Sequence, residues 1–76
     1  MSAEQWLRHL AVAIGVPEPT AEERDALLAL AGVAAHSSER IAAPLSTWMA
    51  GRAALPVIEV RRVVEELGRA GETEED

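Results

Sequence analysis

Proline and glycine divide this chain into four stretches, and within each one the apolar residues recur at helical spacing. Gly15, Pro17 and Pro19 close the first stretch. Pro44 opens the third, Pro56 opens the fourth, and Gly68 and Gly71 follow it. Proline lacks a backbone N–H and disfavours helical geometry in the residue before it, so a single long helix is excluded. Each stretch must fold as its own element.

The first opens with Ser2-Ala3-Glu4-Gln5, a capping box in which a hydroxyl takes an early backbone N–H and Gln5 reaches back to the cap. Trp6, Leu10 and Ile14 then recur every four residues, beside Leu7 and Ala11, which predicts a helix over 3–14. Gly15 suits the left-handed closing position. A second capping box, Thr20-Ala21-Glu22-Glu23, predicts a helix over about 21–36 with Leu27, Leu30, Ala31 and Ala34 on one face. Its early carboxylates and its late His36 both suit the helix dipole. Gly32 weakens that helix by ~1 kcal/mol relative to alanine, a loss that a close helix crossing would offset.

After the polar break Ser37-Ser38-Glu39-Arg40, a short turn at 38–42 leads to a third helix. This one is expected to run from Pro44, at the first helical position, to about Ala53, with Leu45, Trp48 and Met49 facing inward. In the fourth stretch Pro56 takes the same first position. Val57, Val60, Val63, Val64 and Leu67 form a three-four repeat, which favours helix over strand despite their β-branching. Gly68 and Gly71 are expected to end it. The expectation is an all-α fold: a compact bundle of four short helices in one domain, residues 1–71, followed by a disordered acidic tail, 72–76.

The sequence has 76 residues, no cysteine and a net charge of −6, of which the tail supplies four negatives. With no disulfide or thiolate metal site available, a core this small needs helix packing, self-association or a partner for stability. No basic surplus exists to displace counterions from DNA or RNA, so nucleic-acid binding is not expected, a helix-turn-helix reader included. No apolar run reaches the ~20 residues of a membrane span, and the start of the chain lacks a signal-peptide layout. A cytoplasmic protein is expected.

No catalytic set, phosphate loop or metal motif is legible; the two histidines, His9 and His36, fall in different helices. The unusual side chains gather in residues 36–51: His36, Arg40, Pro44, Ser46, Thr47, Trp48 and Gly51. Two readings stand. In one, His36 bonds the last carbonyls of its helix, Ser46 and Thr47 cap locally, and Trp48 packs in the core. In the other, Arg40 with Ser46 and Thr47 at the start of the third helix forms an anion site flanked by His36 and Trp48. Either tryptophan, Trp6 or Trp48, can instead serve as a half-exposed interface anchor.

Ala35-His36, Arg40, Ala42-Ala43-Pro44-Leu45, Ser46-Thr47, Trp48 and Gly51, together with Gln5-Trp6-Leu7, resemble the signature of a family of small actinobacterial helical domains of unknown function. Its members occur alone or attached to molybdopterin-guanine dinucleotide nucleotidyltransferase-type proteins. Ile41 stands where many members have proline, and the connection Ala53-Ala54-Leu55-Pro56 is shorter than the family's. The resemblance implies a non-enzymatic accessory module without a cofactor, working with a protein partner around molybdenum cofactor biosynthesis or molybdoenzyme maturation. It assigns no residue a role. The alternative is a small-ligand domain taking an anionic, nucleotide- or pterin-like molecule at 36–51. Homodimerisation through the valine-rich fourth helix is compatible with both.

Overall fold

In the computed structural model, which describes residues 1–73, the chain forms α1 (Ala3–Ile14), α2 (Ala21–Ser37), α3 (Ala42–Arg52) and α4 (Val57–Thr73), with no strand among the described residues. Both capping boxes close. Gln5 N–H donates to Ser2 Oγ at 3.1 Å while Ser2 N–H donates to Gln5 Oε1 at 2.9 Å. Thr20 and Glu23 repeat the exchange at 3.1 and 2.9 Å. Each box satisfies N–H groups that a helix start leaves without an internal partner. Gly15 ends α1 at φ 74°, its N–H donating to the Ala11 carbonyl at 2.9 Å. Only glycine adopts that conformation without a steric penalty.

Three boundaries differ from the spacing-based reading. The third helix begins at Ala42, two residues before Pro44. Bonds from Ala42 N–H to the Glu39 carbonyl and from Ala43 N–H to the Arg40 carbonyl carry the 39–42 turn directly into it. Pro44 therefore sits third in the helix, where its missing N–H had no intrahelical partner to lose. Pro56 precedes the fourth helix as its cap, its carbonyl accepting from Glu59 and Val60. Gly68 and Gly71 do not end α4, which continues to Thr73; the expected acidic tail beyond that point lies outside the described residues.

The core is narrow. Leu30 is completely buried, and Ala26, Ala34 and Ala50 are buried with it. Ala26, Leu30 and Ala34 are spaced by four and share one face of α2, which packs against both α3 and α4. Gly68, also buried, lies at the α2–α4 crossing: a Cβ there would stand 2.9 Å from Ser37 Oγ and 3.0 Å from Val33 Cγ1. Gly32, the glycine expected at a crossing, has nothing within 4 Å of a Cβ position. Close approach is thus achieved from α4 and not from α2.

α1 stands apart: no Cα of α1 comes within 8 Å of a Cα in another helix. Exposed ion pairs tie it down at one side, Glu4 to Arg24 at 3.1 Å and Arg8 to Glu18 at 3.6 Å. Pairs this exposed contribute about 0–1 kcal/mol each. Ala11 is buried, but Trp6 is 56% exposed, and Leu7, Leu10 and Ile14 are exposed with it.

Candidate functional site

The third helix turns its face opposite to expectation. Along α3 the small residues Ala43, Ser46 and Ala50 point to the bundle; Ala50 is buried and the other two partly so. Leu45, Trp48 and Met49, expected inside, are exposed, Trp48 at 63%. Size decides this orientation, since only short side chains let an 11-residue helix approach α2 closely. Ile41, Leu45, Trp48 and Arg52 follow at 41, 45, 48 and 52, a spacing that aligns them as one outward stripe. The Arg52 guanidinium carbon lies over the Trp48 ring, 5.0 Å from its centroid, a cation–π contact.

The five residues singled out at 36–51 do not converge on one point. His36 is in the last turn of α2, exposed, and lines a shallow cleft of about 760 Å³ between α2 and α4 with Ser37, Glu65 and Arg69. Ser46 lines a different groove, between α3 and α4. Trp48 lies on the outer stripe. Ser46 and Thr47 do not cap N–H groups; Ser46 Oγ donates to the Ala42 carbonyl, and Thr47 Oγ1 donates to the Pro44 carbonyl at 2.8 Å. Both hydroxyl protons are therefore committed to the helix's own backbone. Arg40 is exposed, and among the described residues its guanidinium pairs with no carboxylate.

The α3–α4 groove, about 320 Å³, escaped the sequence reading. Met49, Ala53, Leu55, Val60, Val63 and Leu67 supply most of its wall, and nearly all of it is hydrocarbon. The three-four repeat of α4 points to this side of the helix, which the sequence offered as a homodimerisation surface without its groove. In the structure Val57, Val60 and Val64 are only half-buried and Leu67 is 67% exposed. The opposite side of α4 is strongly paired: Arg62 bonds Glu59 at 2.7 Å and Glu66 at 3.2 Å, and Arg61 bonds Glu65 at 2.9 Å. The Arg62 pKa is raised, chiefly by the hydrogen bond its guanidinium donates to the Glu59 carboxylate and then by the charges of Glu59 and Glu66.

Among the described residues no three of His, Asp and Glu gather where a metal ion would sit, and no helix is long and apolar enough to cross a membrane. The fold and surface define a class: a small all-α domain whose largest apolar side chains lie outside its core. Over residues 1–75 the chain matches the family described as Domain of unknown function (DUF6457), and it belongs to that family. No curated protein and no solved structure matches it.

Proposed function

We propose that the chain is a non-enzymatic helical interaction module that holds a protein partner against the outer face of α3. The observation that carries this reading is the stripe Ile41, Leu45 and Trp48, exposed on one side of the helix with Arg52 stacked on the indole. Tryptophan and arginine dominate the energetics of protein interfaces, and a pre-positioned indole loses little rotamer entropy on binding. Arg40, exposed next to Ile41 in the chain and without an ion pair among the described residues, suits a partner whose apolar pocket is rimmed by carboxylates.

The resemblance seen in the sequence suggests the partner class: cytoplasmic proteins of molybdenum cofactor biosynthesis, the nucleotidyltransferase type first. Titrating such a purified protein against the chain tests this. A micromolar complex is expected, weakened about thirtyfold by Trp48→Ala, as befits a hot spot of ~2 kcal/mol. Absence of any complex at micromolar concentration would sink the reading. The alternative, an anionic-ligand site at 36–51, has less support, because two of its three donors bond their own helix. It retains Arg40, and a thermal-shift screen of nucleotides and pterin-like compounds, with Arg40→Ala as control, tests it.

A further inference from the structure

Two apolar surfaces remain after the outer face of α3 is assigned, one a helix ridge and the other a groove. One is convex: the stripe Trp6, Leu10 and Ile14 on α1, a helix that packs on no other helix. The other is concave: the α3–α4 groove lined by Met49, Val60, Val63 and Leu67. A helix laid by its apolar face into such a groove is a common mode of association. Within one chain the two are kept apart. Gly15 terminates α1, Pro17 and Pro19 stiffen the linker, and the Thr20–Glu23 box fixes the start of α2, with the exposed Glu4–Arg24 pair bridging α1 and α2.

We propose that the occupant of the groove is a second copy of this chain, with α1 of each protomer lying in the α3–α4 groove of its partner. A chain that carries both the ridge and the hole can satisfy both at once through a two-fold axis, and the exchange then closes at two copies. The surface area agrees. The chain exposes 6017 Å², against about 4,500 Å² for a monomeric domain of this mass. The radius of gyration is 13.8 Å, against about 11.4 Å for a chain of this length. A stable interface removes about 800 Å² from each partner. The surplus of roughly 1,500 Å² exceeds that. The buried core of one leucine and four alanines is small for an independent fold, and the exchange would enlarge it with Trp6, Leu10, Ile14 and the valines of α4.

The test uses the full chain carrying Trp48→Phe, which leaves Trp6 as its single tryptophan. Sedimentation should show the mass rising from 8.1 kDa toward twice that value with concentration, and Trp6 emission should shift to the blue over the same range. Val63→Asp and Leu67→Asp, both at exposed groove positions, should each hold the protein at one chain mass with red-shifted Trp6 and unchanged helical circular dichroism. Mixing Trp6→Asp with Leu67→Asp should restore a one-to-one pair that neither forms alone, because one intact ridge still meets one intact groove. A single chain mass at all concentrations overturns the proposal, as does a pair indifferent to both groove variants. Blue-shifted Trp6 in a single-mass species would mean that α1 closes on its own groove, and would also overturn it. Trp48→Ala, which tests partner capture, should leave the self-association unchanged; its loss would move the contact to the outer face of α3 and refute the groove assignment.

Discussion

Replacing Gly68 by alanine adds one methyl group at the place where α4 crosses α2. In an open helix that change stabilises by about 1 kcal/mol, because alanine loses less backbone entropy than glycine. At Gly68 the new Cβ meets Ser37 Oγ at 2.9 Å and Val33 Cγ1 at 3.0 Å. Ser37 lies at the end of α2 and can rotate its hydroxyl away. Val33 cannot yield so easily, since a β-branched side chain in mid-helix has essentially one rotamer. Overpacking of this kind costs about 1–3 kcal/mol. Subtracting the propensity gain leaves Gly68→Ala destabilised by about 1 kcal/mol. Gly32 supplies the internal control, with open space around its Cβ position; Gly32→Ala should be stabilised by about 1 kcal/mol. The two variants should therefore differ by about 2 kcal/mol, or roughly 8–16 °C in melting temperature for a domain of this size. Thermal unfolding followed by circular dichroism, at one fixed protein concentration, measures the difference. Val33→Ala in the Gly68→Ala background should recover part of the loss by removing the obstructing methyl groups. If Gly68→Ala stabilises as much as Gly32→Ala, the crossing is not as close as described and the reasoning fails.

Leu30→Ala, at a fully buried large side chain, should lose about 2–5 kcal/mol and with it most of the cooperative unfolding transition, seen in urea titration. Thr20→Ala removes the side-chain half of the second capping box and should lower stability by about 1 kcal/mol in the same assay. Glu4→Gln breaks an exposed pair and should change stability by less than about 0.5 kcal/mol, which checks that α1 is not held by that contact alone. Two copies of net charge −6 repel one another, so self-association should tighten as salt is raised from about 10 to 300 mM; weakening with salt would contradict an apolar contact.

The helix starts at Ser2 and Thr20 were legible because a capping box is a local exchange between residues three apart, and Gly15 was legible because one turn decides it. Facing was harder. In α3 both the buried and the exposed sides are apolar, so polarity could not tell Ala50 from Trp48; the distance between helix axes chose the small side. Gly32 and Gly68 carry the same sequence signal, and only the crossing geometry selects Gly68. Pro44 misled by two residues because its missing N–H is harmless anywhere in a first turn. The cluster at 36–51 looked like one site in sequence, but the turn at 39–42 and the helical twist of α3 distribute its side chains over three surfaces.

Central to the account is that Trp48 remains on the surface even when copies of the chain associate. Acrylamide quenching of the Trp6→Phe variant, in which Trp48 is the single tryptophan, tests this most directly. The expected result is ready quenching, in keeping with an indole 63% exposed and covered on one side by Arg52, and unchanged at every concentration, including those at which the mass has doubled. Protection of Trp48 in the dilute single chain, or its appearance on self-association, would contradict the account.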